Sequence, residues 1–241
     1  MTGDAPTVLV PVDVSTDERP DRDLLSLLGP AKVVLVGWYP VPDQTALEQM
    51  QDQHGDEAVE RIESVAGELP DGTDTETLVV FTRDRAETVD RVAGEHAADV
   101  VVVPEEVPAV ERVLVPIRGD VNLERILGVV GSLLEESDAT VTLFHAAPAG
   151  EEDPTVGETL LRGAADRLAD AGVDPDRVAT RTVESESPVA DIVDTAKNHD
   201  VLVVGETEPS LVEQILGDVP TQVIERSGRP VLVVRDTDGE E

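Results

Sequence analysis

The chain has 241 residues, of which 52 are acidic and 18 are basic, and its formal net charge is -34. Nucleic acids and anionic membranes are bound through lysine and arginine that neutralise phosphate, so this charge argues against both as direct partners. The chain lacks cysteine and any apolar run near the roughly 20 residues of a membrane span, so we expect a cytoplasmic protein without disulfides or membrane insertion.

Short runs of Val, Leu and Ile alternate with longer segments of helical period, which predicts repeated βα units and a mostly parallel sheet. In the first half, we predict strands at 7–12, 32–38, 77–81 and 100–103 and helices at 20–28, within 43–69 and at 86–97. Residues 104–109, with two prolines and two glutamates, predict a linker. The pattern then restarts, with strands at 112–117, 140–146, 177–183, 201–204 and 231–234 and helices at 123–136, 157–171, 188–197 and 219–226.

The restart is an internal repeat. TVLVPVD from Thr7 aligns with RVLVPIR from Arg112, AKVVLVGWYP with ATVTLFHAAP, and DVVVVPE with DVLVVGE, all in the same order. Nothing in the first half corresponds to residues 208–235, so we predict that it lacks a final helix and strand. The predicted domains are a degenerate one at residues 1–108 and a complete one at 109–241.

The acidic residues are spread along the chain, and an apolar fraction of 40% is ample for a packed core. A folded chain with this much like charge repels itself in dilute buffer, whereas concentrated salt screens the repulsion. We therefore infer a high-salt intracellular habitat, as in halophilic archaea. An acidic protein of an ordinary cytoplasm is the alternative.

The second half is similar to the universal stress protein family over residues 111–235, through RVLVPI, SPVADIVDTAKNHDVLVVG and GDVPTQVIERSGRPVLVVR. The first half resembles the family more weakly over residues 7–105, through its βα periodicity and VPVD. The resemblance implies an α/β fold of two flavodoxin-like, doubly wound domains in tandem, the first of them truncated.

Some members of this family bind ATP, and the resemblance implies that a G-x2-G-x9-G-[ST] run holds the phosphates. Gly205 and Gly217 match its first and third glycines, but Glu208 takes the second, the spacing is one residue short, and Asp218 replaces the Ser or Thr. Two unit charges about 4 Å apart repel by roughly 4 kcal/mol at an effective dielectric near 20, and Pro220 removes a backbone donor. We therefore expect free triphosphate to bind poorly; turn geometry is the structural alternative for both glycines.

The resemblance also implies that an Asp just after the first strand contacts the nucleoside. Asp13 has this place in the first half, but Pro104 replaces the first glycine there, and Arg118 has the matching place in the second half. Neither half holds a complete nucleotide site. Capping of the following helix, with Ser15 and Thr16 nearby, is the structural alternative for Asp13.

Mg²⁺ held by Glu206, Glu208 and Asp218 would screen the phosphates, because hard cations favour carboxylate oxygen. This keeps an ATP-binding nucleotide sensor or weak hydrolase open as the alternative function, with ATP and Mg²⁺ as its ligands.

Other chemistry finds little support in the sequence. The four histidines lack the spacing of a zinc site, and neither a G-x-S-x-G elbow nor a Walker A sequence occurs. We predict a non-catalytic binding or regulatory protein without a cofactor, which acts on a protein partner that the sequence does not identify. A third option is an accessory subunit of a membrane transporter, because similar domains can be appended to permeases.

The strand predicted at Val231, Leu232, Val233 and Val234 follows Gly228 and Pro230. The family resemblance implies that the last strand pairs with its counterpart across a dimer interface, and an exposed strand edge tends to find a partner. Because the first half has no such strand, we predict a homodimer in which this strand pairs between two chains.

Overall fold

The computed structural model describes residues 5–17, 19–107, 109–119, 122–150, 154–206 and 226–236. Its strands are β1 (Thr7–Asp13), β2 (Lys32–Pro40), β3 (Asp74–Thr82), β4 (Val100–Val103), β5 (Arg112–Pro116), β6 (Thr140–Pro148), β7 (Val178–Ser185), β8 (Val201–Gly205) and β9 (Val231–Val234). Its helices are α1 (Arg22–Leu27), α2 (Leu47–Ala66), α3 (Arg85–Glu95), α4 (Leu123–Leu133), α5 (Pro154–Asp170) and α6 (Pro188–Ala196). The predicted α/β fold with alternating strands and helices is confirmed. The helix predicted at 219–226 lies outside the described residues, apart from Arg226.

The strands form one nine-stranded sheet in the order β3-β2-β1-β4-β9-β8-β5-β6-β7. Within each half the strands are parallel, and the order 3-2-1-4 of the first half recurs as 7-6-5-8 in the second. Nearly continuous runs of Val and Leu form the central strands β1, β2, β4, β5 and β8, because a central parallel strand is buried on both faces. The outer strands β3 and β7 are more polar and more exposed. Between β4 and β5 the described residues form neither helix nor strand.

Strand β9 joins the two halves. It runs parallel to β8, with Gly205 opposite Val234, and antiparallel to β4, with Val103 opposite Val231. Both edges of β9 are therefore paired within one chain. The homodimer contact predicted for Val231–Val234 needs correction, because the free strand edge that it requires is taken by β4. Homodimer formation itself stays a prediction.

The antiparallel junction also sets the direction of each half. Because β9 runs with the second half and against the first, the carboxyl ends of the first-half strands lie at one end of the sheet. Those of the second-half strands lie at the opposite end.

One face of the sheet carries a core that is continuous across both halves. Residues from α1, α2, α4 and α5 pack there with Leu232 and Val234 of β9. On the other face, α3 covers a first-half cluster that includes Leu9 and Val36, while α6 covers a second-half cluster with Val231 and Val233. Strand β9 thus contributes side chains to the cores on both faces.

The two halves repeat one anchoring contact. Asp99, just before β4, accepts a hydrogen bond from the backbone N–H of Thr7 at 2.9 Å. Asp200, just before β8, accepts one from the N–H of Arg112 at 2.9 Å and one from Glu111 at 3.1 Å. In both halves the carboxylate that precedes the fourth strand accepts backbone hydrogen bonds from the start of the first strand.

Candidate functional site

A cleft with a volume of about 620 Å³ lies at the carboxyl ends of the first-half strands. We call it the first-half cleft; its lining includes Asp13 at the end of β1, Trp38 in β2, Arg85 at the start of α3, Arg19, and Glu105 and Glu106 after β4. Ligands of open α/β sheets bind at this end of the strands, and small-molecule sites have volumes of about 300 to 1000 Å³. The cleft therefore has the place and the size of a small-molecule site.

Asp13 lies in this cleft with one carboxylate oxygen engaged. Its Oδ1 accepts hydrogen bonds from the backbone N–H and the hydroxyl of Ser15, at 2.9 and 2.6 Å. These bonds hold a turn after β1. The next helix is capped by Asp21, which accepts from the N–H of Asp23, so Asp13 does not cap it. Within the described part of the chain, the structure gives Asp13 Oδ2 no hydrogen-bond partner.

Arg85 faces Asp13 across the cleft and lies over Trp38. Its guanidinium carbon is 5.3 Å from the centroid of the indole ring, which is within the range of a cation–π contact. Burial lowers the pKa of Arg85 from its ordinary value, and the charge of Asp13 partly opposes that shift. Arg85 is exposed overall, and among the described residues no hydrogen bond or ion pair engages its guanidinium.

The other arginine of the cleft is already paired. Arg19 donates to Ser64 Oγ at 3.0 Å and to Glu68 Oε1 at 2.9 Å. Glu105 and Glu106, in contrast, are exposed at the start of the segment that connects the halves. Their carboxylates make no ion pair with any residue that the structure describes.

The corresponding end of the second half differs. The backbone N–H of Glu206 donates to the carbonyl of Val234 at 2.7 Å, and the Glu206 side chain is buried, with Oε2 accepting from the N–H of Asp236. Glu206 thus uses its N–H inside the sheet and places a carboxylate at the position where the resemblance implies the start of a phosphate-binding run. Arg118, after β5, is exposed.

Gly205 packs closely against α4. A methyl group at this position would lie 2.7 Å from Cδ1 of Ile126, so close packing is the structural reason for this glycine, in place of the expected turn geometry. Glu208, Gly217 and Asp218 lie outside the described residues.

The structure does not bring the predicted nucleotide residues together. Asp13 lies at the carboxyl ends of the first-half strands, whereas Gly205 lies at the carboxyl ends of the second-half strands, which is the opposite end of the sheet. Asp13 therefore cannot complete the site of the second half in the same chain.

The histidines have structural partners. His199 Nδ1 lies 2.9 Å from the carbonyl oxygen of Thr195, and its Nε2 lies 3.0 Å from Thr142 Oγ1. The imidazole ring thus links the last turn of α6 to β6. His145 Nδ1 lies 2.7 Å from the carbonyl of Ile117. No group of three or more potential metal ligands occurs among the described residues. None of the helices in the described ranges has the length and apolarity needed to cross a membrane.

Sequence reasoning identified Asp13 and missed Arg85, Trp38 and Arg19. Trp38 is the only tryptophan of the chain and lies near the end of a predicted strand, a signal that could have directed attention to this end of the sheet. Arg85 gave no comparable signal, because only the folded chain brings it over Trp38.

The fold is that of an open α/β protein with a cleft at the carboxyl ends of its first-half strands. The sequence profile of the Universal stress protein family matches residues 109–235, which is more than half of the chain. The chain therefore belongs to the universal stress protein family. No curated protein sequence matches it.

Solved structures are similar to this chain, and the first two below share its fold over nearly its whole length. A universal stress protein from Archaeoglobus fulgidus DSM 4304 is 17% identical, with 97% of each chain covered and a TM-score of 0.66. A protein of unknown function from Pseudomonas aeruginosa PAO1 is 12% identical, covers 98% of this chain and 94% of its own, and has a TM-score of 0.54. A universal stress protein from Archaeoglobus fulgidus, solved in complex with dAMP, is 20% identical and covers 52% of this chain and 97% of its own, with a TM-score of 0.42.

Proposed function

We propose that this member of the universal stress protein family is a non-catalytic binding and regulatory protein of a salt-rich cytoplasm. It works without a cofactor, and its ligand site is the first-half cleft. The second-half loop, which in ATP-binding relatives would hold the phosphates, does not bind ATP in this chain.

The observation that carries this proposal is the environment of Glu206. Phosphate binding needs free backbone N–H groups and no competing anion. The N–H of Glu206 is already donated to Val234, and its buried carboxylate adds a negative charge where the loop begins. One oxygen of the buried Glu206 carboxylate already accepts from the N–H of Asp236, which leaves this group less available as a ligand for Mg²⁺.

The first-half cleft supports the binding role. It combines an open volume of about 620 Å³ with an aromatic ring and charged groups that lack protein partners in the described chain. It also borders Glu105 and Glu106, which begin the segment between β4 and β5. A ligand in this cleft would touch the connection between the two halves, which is a route from binding to regulation.

Calorimetric titration with Mg-ATP in molar KCl tests the proposal. We expect binding weaker than about 0.1 mM, equivalent to less than roughly 5.5 kcal/mol, and no release of phosphate above the blank. The fluorescence of Trp38 reports separately on the cleft. Binding of Mg-ATP tighter than that limit would favour the alternative, a nucleotide sensor or weak hydrolase.

The salt adaptation has its own test. Far-UV circular dichroism should show loss of structure when the protein is dialysed from molar KCl to low salt, because screening of the net charge of -34 is lost. An unchanged spectrum would contradict the salt adaptation and leave the binding role untouched.

A further inference from the structure

The first-half cleft contains charged groups of both signs, and more of those without an ion-pair partner are negative than positive. Because Glu68 neutralises Arg19, the free cation among the described residues of the cleft is Arg85. Asp13, Glu105 and Glu106 supply three carboxylates, of which only Asp13 has hydrogen-bond donors within the described chain, both from Ser15. The described lining of the cleft thus holds one free positive group and three negative groups.

Arg85 and Asp13 attract one another without touching. The charge of Asp13 acts on the pKa of Arg85, yet no hydrogen bond or ion pair joins the two side chains in the described structure. Trp38 contributes to this separation, since the cation–π contact holds the guanidinium over the indole ring. Two opposite charges are therefore presented across the cleft and remain available to a ligand.

This arrangement selects among the chemical classes of small ligand. A polyphosphate would meet three carboxylates and only one free guanidinium, so repulsion dominates. A simple cation would leave Arg85 unpaired and place a second positive charge beside it. A zwitterion satisfies both kinds of group, because its carboxylate can form a bidentate pair with Arg85 while its ammonium pairs with Asp13.

We propose that the first-half cleft binds a small zwitterion with an excess of positive charge, of the type of a basic amino acid. The carboxylate of the ligand pairs with Arg85, its α-ammonium pairs with Asp13 Oδ2, and its second cationic group lies towards Glu105 and Glu106. This inference rests on the proposed function, in which the cleft is the ligand site, and adds the chemical class of the ligand.

The chain carries its own reporter for this test. Its single tryptophan, Trp38, lines the cleft, so a ligand that pairs with Arg85 changes the surroundings of the indole. We would titrate the full chain in molar KCl with L-lysine, with cadaverine, which lacks the carboxylate, and with hexanoate, which lacks both amines. Trp38 fluorescence and calorimetry are the readouts.

We expect saturable binding of L-lysine with a dissociation constant of about 1 mM or below, and binding of cadaverine and hexanoate at least about tenfold weaker. Arg85→Gln should weaken L-lysine binding about tenfold or more, whereas cadaverine binding should not weaken, because the variant removes a positive charge beside the diamine. Asp13→Asn should weaken L-lysine and cadaverine alike.

Arg91→Gln is the matched control. Arg91 lies on the same helix, pairs with Glu95 on the surface and does not line the cleft, so its loss removes the same charge and should leave L-lysine binding unchanged. Equal circular dichroism spectra of the two arginine variants ensure that a loss of binding by Arg85→Gln is not a loss of fold.

The outcomes separate this inference from the proposed function. Absence of saturable L-lysine binding, or L-lysine binding that is the same in Arg85→Gln and in the natural chain, overturns the zwitterion proposal. If neither L-lysine nor Mg-ATP binds, the ligand class is wrong while the proposal that the loop rejects ATP stands. Tight Mg-ATP binding instead overturns the proposed function, whatever L-lysine does.

Discussion

The two halves of this chain share one strand order and differ in the residues just after their fourth strand. After β4 the first half passes into a connecting segment and leaves an open cleft beside Asp13 and Trp38. After β8 the second half turns through Glu206, whose N–H and carboxylate are both used within the structure. In the described ranges, the residues that follow the fourth strand therefore determine which backbone and side-chain groups stay available at this end of each half.

The largest effect is expected from a substitution in β9, the strand that pairs with both halves. Leu232 of β9 is fully buried and belongs to the core that spans the halves, so Leu232→Ala should lower the free energy of unfolding by about 2 to 5 kcal/mol. Urea unfolding in molar KCl, followed by Trp38 fluorescence and by far-UV circular dichroism, should show both signals shifting together.

Val80→Ala in the outer strand β3 is the control. Val80 is only half-buried, and the loss of two methyl groups there should cost about 1 kcal/mol or less. If Leu232→Ala left the Trp38 transition at the urea concentration of the natural chain, β9 would not stabilise the first half.

Removal of the aspartate contact that both halves repeat should lower the stability by an intermediate amount, and by more in the second half than in the first. Asp200 is 7% exposed and accepts two backbone N–H groups, so Asp200→Ala should cost about 1.5 to 3 kcal/mol. Asp99 accepts the N–H of Thr7 from a more exposed position, and its ion pair with Arg125 spans 3.5 Å, so Asp99→Ala should cost about 1 kcal/mol. The urea midpoints of the two variants compare these losses of stability. Equal losses, or a larger loss for Asp99→Ala, would contradict the expectation that the more buried carboxylate contributes more to the free energy of unfolding.

The smallest expected effect concerns two glycines of the second half. Gly205→Ala should destabilise by about 1 kcal/mol, because the methyl group must displace the end of Ile126. Gly163→Ala, in an exposed position of α5 with nothing within 4 Å of the new methyl group, should stabilise by about 0.5 to 1 kcal/mol. Thermal unfolding shows whether each variant is more or less stable than the natural chain. A stabilising effect of Gly205→Ala would contradict the explanation that Gly205 is needed for close packing against Ile126.

The sequence was sufficient to predict the positions of the strands, because a parallel strand buried on both faces consists of a run of β-branched and aliphatic residues. It also predicted where Asp13 lies relative to β1. It did not predict the two partners of β9, because an apolar run indicates that a strand is buried and not which strands flank it.

The cleft was harder to predict for the same kind of reason. Arg85 and Trp38 come from different βα units, and their contact is created by the packing of α3 against β2. Whether an arginine is free or paired, as with Arg85 and Arg19, depends on neighbours that are distant in the sequence.

The antiparallel pairing of β4 and β9 determines from which directions other molecules can reach the two halves. Its two halves present the carboxyl ends of their strands at opposite ends of the sheet, so a molecule in the cleft beside Trp38 does not approach Glu206. We therefore expect events at these two ends to be sterically independent of one another.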